Sequence, residues 1–550
     1  MEKYYRVVCN GVESSFREGT TYKEISEHYR NFYRYSILTA KVNDDFVDLS
    51  DTLKKDSEIR FFTVADEYGN KVYHRSARFM VILAVRKLFG TKAVAVMQHS
   101  QDGGVYFTIE HAKINDQTLD DLINEMNNIV KNDYAFMHLT VSRLEASDYF
   151  SKRKMADKEH LLKYISNTYI NLYRVDDMYD YFYGKMAYST GQIDRFKIKK
   201  VGKGFVLLTP NHYDPDLIKE QKHNDKIYDK FAESNNFATA LSLTTVSDLN
   251  DKVATGQIND IILASEAYYN DQLLNIADDI ISKKTKIVLL AGPSSSGKTT
   301  TSRKISIYLK SKGYNTKAIS IDDYFESLEN RQKDLNGDYD FESIKAVDTE
   351  LFNEQINKLL NLEEVCLSRY NFLTGKREFD DKVTKLDKND IIVVEGLHAL
   401  NDELTKSINN KYKYKIYISP LTSLKIDNHN HVHNSDTRKL RRIIRDSKTR
   451  AVDAKTTLKM WTNIQKGEMN NIFPYQNDVD AVINSSLMYE LGVLKTYVEP
   501  LLYSVDSEEE EYPEALRLIN FLKNFLPIPS DEIPKDSVLR EFIGGSCFKI

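Results

Sequence analysis

The chain has 550 residues, of which 41% are hydrophobic and 29% charged, and its formal net charge is -5. This length predicts about three or four domains, and the composition is that of a globular protein. The charge excludes a global positive field for nucleic acid or an acidic membrane. No apolar run approaches the roughly 18 residues of a membrane span, and the three cysteines have no C-x-x-C spacing. Because MEKYYRVVCN also lacks an apolar signal core, we expect a reducing, cytoplasmic location and no membrane contact.

Residues 1–63 place strand and turn signals around one short helix. Candidate strands lie at 4–8, 40–43, 46–49 and 59–64, and the helix lies near 21–29. This pattern predicts a small β-grasp domain. The segments REGTTYKEIS and KVNDDFVDLSDTLKKDSEI resemble the TGS domain of threonyl-tRNA synthetases and related GTPases.

Residues 64–213 extend this likeness. The segment 73–85 resembles the start of the second additional domain of the synthetases, where H-x-x-x-H and C-x-x-x-H motifs supply four metal ligands. Aligned through Ser76 and the segment TGQI at 190–193, the ligand positions become Arg75, Phe79, Phe182 and Met186. Apart from the weak thioether of Met186, these side chains offer no metal donor. We therefore predict an α+β domain without zinc and without tRNA deacylation.

Two further features concern how residues 1–213, here called the arm, contact their surroundings. The basic stretch FKIKKVGKGF at 196–205 could contact the phosphates of RNA, but a solvated strand and turn accounts for it more simply. Residues 214–284 carry apolar residues at helical spacing, for example at 261–264 and 273–281. We predict a helical connector that docks the arm against the domain that follows.

The stretch KIVLLAGPSSSGKTT at 286–300 carries the strongest motif of the chain. A short apolar run predicts one buried strand, GPSSSGKT fits G-x-x-x-x-G-K-[ST], and a helix follows. In this arrangement backbone N–H groups converge on an anion at the positive end of the helix. We expect Lys298 to reach the β- and γ-phosphates of ATP and Thr299 to hold Mg²⁺. The candidate ATP-binding residues are Gly292, Pro293, Ser294, Ser295, Ser296, Gly297, Lys298, Thr299 and Thr300.

Two acids follow predicted strands and are expected beside this loop. Asp322 comes after the strand ending at 320, and we assign it as the base that takes the proton of an acceptor hydroxyl. Its neighbour Asp323 is expected to cap a helix. Glu395 ends the apolar run 391–394, which is typical of a central parallel strand. Glu395 resembles a Walker B acid that holds Mg²⁺ through water.

The phosphate loop, S-x-D-x-[FY]-[FY] at 320–325 and DYDF at 338–341 together resemble the uridine kinase and phosphoribulokinase family. The resemblance implies a P-loop kinase with a doubly wound parallel sheet over 285–505, and a ribose-binding role for Asp340, since one carboxylate can accept two vicinal hydroxyls. It also implies that Tyr370, Phe372 and Arg377 cup the base. Gly375 replaces the histidine that reads the base edge in the family, so the base preference stays open.

An arginine-rich run resembles the lid of this family, whose guanidinium groups offset charge on the transferring phosphoryl group. It comprises Arg438, Arg441, Arg442, Arg445 and Arg450. Helical spacing puts three of these side chains on one face. We assign Arg445 and Arg450 to catalysis and Arg438 to substrate binding.

Two segments around the lid receive no catalytic role. Just upstream, His429, His431 and His433 alternate, and we expect a mobile polar loop rather than a metal site. Residues 506–550 contain an acidic stretch, one amphipathic helix and the ending VLREFIGGSCFKI, which is apolar enough that it should dock. Contact between subunits of a homo-oligomer is one hypothesis for this ending.

These features predict an enzyme that uses ATP and Mg²⁺ to phosphorylate the 5′-hydroxyl of a nucleoside, uridine or cytidine first. Two alternatives stay open. The segment EGLH at 395–398 resembles phosphoribulokinases and allows a kinase for another sugar or small alcohol. The synthetase-like arm allows an ATP-switched regulator associated with RNA or the ribosome.

Overall fold

The computed structural model describes residues 2–101, 103–220, 222–327, 343–371 and 374–549. These residues form a β-grasp unit, an α+β unit, a set of connecting helices and an α/β unit built on a parallel sheet. The multidomain α/β architecture predicted from the sequence is therefore confirmed. None of the described helices combines the length and the apolar character needed to cross a bilayer.

The first unit is a five-stranded sheet with one helix packed on it. Its elements are β1 (Tyr4–Cys9), β2 (Val12–Arg17), α1 (Tyr22–His28), β3 (Ile37–Val42), β4 (Asp45–Val47) and β5 (Ser57–Thr63). The strand order is β2-β1-β5-β3-β4, and β1 runs parallel to β5, as in a β-grasp fold. Thr21 and Glu24 form a reciprocal capping box that fixes the start of α1.

The second unit packs one long helix against antiparallel sheets. Its elements are α2 (Glu67–Phe89), β6 (Val94–Gln101), β7 (Gly104–Glu110), α3 (Thr118–Asn132), β8 (Met137–Ser142), α4 (Arg143–Lys152), α5 (Ala156–Leu162), β9 (Tyr169–Val175), β10 (Met178–Tyr181), β11 (Lys197–Val201) and β12 (Gly204–Leu208). One sheet has the order β11-β12-β7-β6 and the other β10-β9-β8. The run from Phe79 to Val85 is buried on every side, so α2 is the core of this unit.

The four positions aligned with metal ligands do come together in this unit. The rings of Phe79 and Phe182 have centroids 5.3 Å apart, and the hydroxyl of Ser76 lies 3.9 Å from the sulfur of Met186. The guanidinium of Arg75 donates to the carbonyl of Lys185 at 2.5 Å. Hence a cation and apolar side chains occupy the four positions that align with the metal ligands of the synthetases.

The connecting helices are α6 (Asp225–Ala240), α7 (Val246–Ala254) and α8 (Ile258–Ser282). Leu273 and Ile280 of α8 belong to the same hydrophobic core as Val288 and Leu290 of the parallel sheet. The connector therefore docks directly on the α/β unit.

The α/β unit is a parallel sheet covered by helices on both faces. Its elements are β13 (Ile287–Ala291), α9 (Lys298–Ser311), β14 (Thr316–Ser320), α10 (Thr349–Leu360), β15 (Ser368–Asn371), β16 (Lys376–Phe379), β17 (Ile391–Glu395), β18 (Lys413–Ser419), β19 (Lys425–Asp427), β20 (Asn430–His431), α11 (Asn434–Thr449), α12 (Ala454–Asn471), β21 (Ala481–Asn484) and α13 (Glu490–Tyr503). The order β14-β17-β13-β18-β21 is parallel throughout. Val288 and Leu290 enter one core whereas Ile287 and Leu289 enter another, which confirms the doubly wound arrangement.

The histidine-rich segment 425–433, here called the anchoring hairpin, is not the mobile polar loop we expected. It contains β19 and β20, and its His429 and His431 are buried. Lys158 of the second unit lies 2.7 Å from Asp180 and 2.9 Å from Asp427, and all three side chains are at most 1% exposed. The expectation was wrong because partners from a distant unit, invisible in the local pattern, neutralise these polar groups.

The C-terminal residues dock, as their apolar character indicated. They include α14 (Tyr512–Leu522) and α15 (Arg540–Ile543). Leu518, Phe525 and Phe542 are buried in the core that also contains Val288 of the sheet. This placement brings α15 to the phosphate loop.

Candidate active site

The glycine loop joins β13 to α9 with the backbone that a phosphate site requires. A Cβ atom on Gly292 would lie 2.1 Å from the carbonyl oxygen of Ile418, and Gly297 has a φ of 91°. Because α9 begins at Lys298, the amides of its first turn lack intrahelical acceptors. The hydroxyl oxygens of Ser295, Ser296 and Thr300 are buried, and within the described chain they have no hydrogen-bond partner. These donors fit an anionic ligand such as the phosphates of ATP.

Two carboxylates of the chain accept hydrogen bonds from this loop. The amide of Ser294 donates to Glu468 at 2.9 Å, and the amide of Thr300 donates to Glu541 at 3.0 Å. Glu468 lies on α12, and Glu541 lies on α15. Sequence reasoning missed both residues, because neither belongs to a motif. The one available signal concerned Glu541, which is the single acidic residue in the apolar segment VLREFIGGSCFKI.

Lys298 lies among acids at this edge of the sheet. Its ammonium donates to the carbonyls of Gly292 at 2.9 Å and Pro293 at 3.2 Å. Burial lowers the pKa of Lys298, while the negative charges of Glu395, Asp322 and Glu541 favour its charged form. The structure thus brings the predicted base and the predicted metal ligand to the same lysine.

Glu395 ends β17, directly between β14 and β13. Burial raises its pKa to about 7, and the nearby charges of Asp322 and Glu541 act in the same direction, whereas Lys298 opposes them. The hydroxyl of Thr299 and the carboxylates of Glu395 and Asp322 are oxygen donors of the kind that Mg²⁺ prefers. These residues therefore fit the ion that the sequence predicts.

Asp322 and Asp323 occupy a 3-10 turn, Ile321–Tyr324, immediately after β14. Asp322 is exposed at the edge of the sheet, where an acceptor can reach it. Asp323 is not the helix cap we expected, because Ser320 holds the cap position and Asp323 instead accepts from the amide of Tyr370 at 3.4 Å. Burial raises the pKa of Asp323 to about 6.

The predicted substrate residues lie on a hairpin beside this turn. Tyr370 of β15 pairs in register with Arg377 of β16, and its ring packs edge-on against Phe325 with centroids 5.7 Å apart. Arg377 donates to Asp348 at 2.8 Å and lies 3.3 Å from Glu326. The hairpin is therefore fastened to the segment that carries Asp322. Asp340 and Phe372 lie outside the described residues.

The arginines of α11 and of its C-cap lie against the loop, and they pair with three acids, Glu468, Glu490 and Asp446. Arg438 donates to both carboxylate oxygens of Glu468, and the hydroxyl of Ser294 accepts from Arg442 at 2.6 Å.

Asp446 is shared by Arg442 at 3.0 Å, Arg445 at 2.8 Å and Arg450 at 3.6 Å. Arg445 acts electrostatically on Lys298, and Arg450 on Asp322. The helix thus brings Arg445 and Arg450 to the acidic edge, whereas Arg438 faces the start of the loop.

The arm also contributes to the surroundings of the loop. A cavity of about 300 Å³ opens beside Pro293, Arg438 and Glu468, and its lining also includes His74 and Ser100 of the second unit. The basic strand β11 of the same unit has Lys197 3.0 Å from Glu220, so this predicted RNA contact is partly neutralised.

A comparison with protein families agrees with this geometry. Residues 287–489 match the model of the Phosphoribulokinase / Uridine kinase family. This segment belongs to that family. The membership supports an ATP-dependent kinase of a small substrate, with Mg²⁺ as the usual companion of ATP, and does not specify uridine.

The N-terminal part of the chain matches threonyl-tRNA synthetases. It is 30% identical over 198 residues to the Threonine--tRNA ligase of Desulforamulus reducens, a match that covers 36% of this chain and 31% of the relative. The chain thus spans about a third of the length of the curated relatives that it matches.

Among solved structures, the chain is similar to a possible uridine kinase from Bacillus stearothermophilus. The two are 20% identical, with 27% of this chain and 79% of that chain covered and a TM-score of 0.23. D-glycerate 3-kinase from Cryptococcus neoformans is 13% identical, with 48% of this chain and 89% of that chain covered and a TM-score of 0.21. Similarities at this level carry no argument about the substrate.

Proposed function

We propose that the kinase domain transfers the γ-phosphoryl group of ATP to the 5′-hydroxyl of a nucleoside, with uridine and cytidine as the first candidates. One observation carries the proposal: the glycine loop after β13, Asp322 after β14 and Glu395 at the end of β17 meet at one edge of a parallel sheet. This edge is where such sheets bind phosphorylated ligands. The family membership of residues 287–489 supports the same reaction class.

Each residue at the edge has a chemical role in this proposal. Loop residues 292–300 bind the phosphates through backbone amides, and Lys298 leaves its two carbonyl acceptors to pair with the β- and γ-phosphates. Asp322 accepts the proton that the acceptor hydroxyl loses. Bound Mg²⁺, held by Thr299 and Glu395, would offset negative charge on the phosphate oxygens. Arg445 and Arg450 stabilise the charge that develops on the transferring group.

The proposed acceptor site is the hairpin of β15 and β16. Tyr370 and Arg377 border it, and we propose that Arg438 contributes from α11, although in this structure it is engaged by Glu468. Asp340 and Phe372 complete the proposed set as ribose and base contacts. We further propose domain limits at 1–63, 64–213, 214–284, 285–505 and 506–550.

A panel of ribonucleosides, sugars and small alcohols, each incubated with ATP and Mg²⁺ and assayed for ADP release, tests the proposal. We expect turnover with a pyrimidine ribonucleoside and little with free sugars. Turnover of a sugar or small alcohol alone would favour the second candidate, a kinase for such an acceptor. The specific observation behind that candidate is Gly375, which presents no side chain to read a base.

The alternative of an ATP-switched regulator rests on the synthetase-like part of the chain. It predicts that the protein binds tRNA at moderate salt and turns over no acceptor in the panel. Turnover without tRNA retention would exclude it.

A further inference from the structure

A second large cavity lies away from the phosphate loop, between the arm and the C-terminal helices. Its volume is about 420 Å³. The β-grasp unit supplies Asp45 and Phe46, the second unit supplies Arg75 and Lys185, and helices α13 and α14 with their following turn supply Lys495, Arg517 and Lys523. The kinase reaction proposed above uses none of these residues.

The lining of this cavity is cationic. It contains Arg75, Lys185, Lys495, Arg517 and Lys523 but a single acid, Asp45. Lys185 is paired with Asp48 and Arg517 with Asp436, so these two charges are already compensated. Within the described chain, Lys495 and Lys523 donate to neutral oxygens, the carbonyl of Phe525 and the amide of Asn520. Positive charge that no described carboxylate pairs with therefore faces the cavity.

Arg75 is the least compensated of these cations. The residue is only 5% exposed, and among the described residues no carboxylate forms an ion pair with it. Its hydrogen bond goes to the neutral carbonyl of Lys185, and a Cβ on Gly184 would lie 2.6 Å from its guanidinium carbon. A buried guanidinium without a counter-ion is costly, so an anion at this position would be strongly favoured.

Aromatic rings form much of the remaining wall. Tyr68, Tyr169, Tyr181 and Tyr183 line the cavity, and the ring centroid of Phe46 lies 4.2 Å from that of Tyr68. Aromatic faces bind planar rings by stacking. A nucleotide matches both features of the lining, because it carries an anionic phosphate and a planar aromatic base.

We propose that this cavity, here called the arm pocket, binds a free nucleotide, with its phosphate at Arg75 and its base among the tyrosines. Arg517 lines the pocket and also donates to Asp436, in the first turn of α11, at 2.6 and 2.8 Å. A nucleotide in the arm pocket therefore contacts a residue bonded to the helix that carries the arginines of the active site. The proposal holds whether or not the chain phosphorylates nucleosides.

Calorimetric titration of the full-length Lys298→Ala protein with ATP and, separately, with uridine 5′-monophosphate and inorganic phosphate tests this site. Lys298→Ala weakens binding at the phosphate loop, and the part of the remaining nucleotide binding that a substitution in the arm pocket removes reports that pocket. We expect saturable nucleotide binding, with inorganic phosphate weaker because it lacks a base. Adding Lys523→Glu, an exposed position, should weaken the nucleotide about tenfold or more. Adding Arg75→Gln should do the same.

Lys92→Glu provides a matched control, because Lys92 is exposed on the second unit and does not line the pocket. It should leave the remaining affinity unchanged. Nucleotide binding that is absent in the Lys298→Ala protein, or equal with Lys523→Glu and Lys92→Glu, would overturn the proposal. Since Lys523 is exposed, this comparison stays decisive even if Arg75→Gln fails to fold. Loss of turnover in the acceptor panel would leave these outcomes unaffected, so the two proposals fail separately.

Discussion

Replacing Glu541 by Gln is expected to strengthen ATP binding. The carboxylate of Glu541 accepts the amide hydrogen of Thr300 at 3.0 Å, in the first turn of α9, where the loop is built to bind phosphate. ATP must therefore displace this carboxylate. A hydrogen bond to a charged group contributes about 1.5–3 kcal/mol, and about 1.4 kcal/mol corresponds to a tenfold change in affinity. Because Glu541 is only partly buried, we expect the lower end, an approximately tenfold smaller dissociation constant.

The assay is calorimetric titration with a non-hydrolysable ATP analogue and Mg²⁺. Glu532→Gln is the matched control, since Glu532 is an exposed acid of the same segment with no described contact to the loop. It should bind the analogue as the unchanged protein does. Equal or weaker binding by Glu541→Gln would refute the reasoning, because Glu541 would then support the bound nucleotide instead of competing with it.

Three further predictions concern catalysis, stability and pH. Lys298→Ala and Asp322→Asn should each abolish ADP release, while Asp322→Asn retains ATP binding by calorimetry; full activity of Asp322→Asn would remove its assignment as the base. Lys158→Met leaves Asp180 and Asp427 buried without their cation, and should cost about 3–5 kcal/mol, seen as a lower thermal midpoint. The exposed Lys163→Met should cost about 1 kcal/mol or less, and equal midpoints would contradict the buried network. Burial raises the pKa of Asp323 from 3.8 to about 6, so folding takes up a proton in this window and the contribution of Asp323 to stability falls as pH rises through it. Asp323→Asn should therefore gain stability relative to the unchanged protein as pH rises through this window, and a constant difference in thermal midpoint would contradict this.

Each part of the site that the sequence predicted is encoded by its own short segment of the chain. The loop 292–299 combines its glycines, lysine and threonine within eight positions. Asp322 and Glu395 were found because the first follows a predicted strand and the second ends an apolar run, and parallel strands place their carboxyl ends at one edge of the sheet. Local spacing was sufficient for all of these residues.

The parts that could not be predicted depend on contacts between distant segments. Glu468 and Glu541 lie 174 and 241 residues beyond the loop residues that they contact, so only tertiary packing brings them there. The anchoring hairpin was mistaken for a mobile loop because alternating polar residues are typical of exposed segments. Its burial depends on Asp180 and Arg78 of the second unit, which no local pattern of 425–433 contains.

Mass-spectrometric analysis of a mixed ribonucleoside pool, incubated with the purified protein, ATP and Mg²⁺, tests the central claim most directly. We expect one pyrimidine ribonucleoside to appear as its 5′-monophosphate, in an amount equal to the ADP formed. A pool in which every ribonucleoside remains unphosphorylated would contradict the proposed phosphoryl transfer.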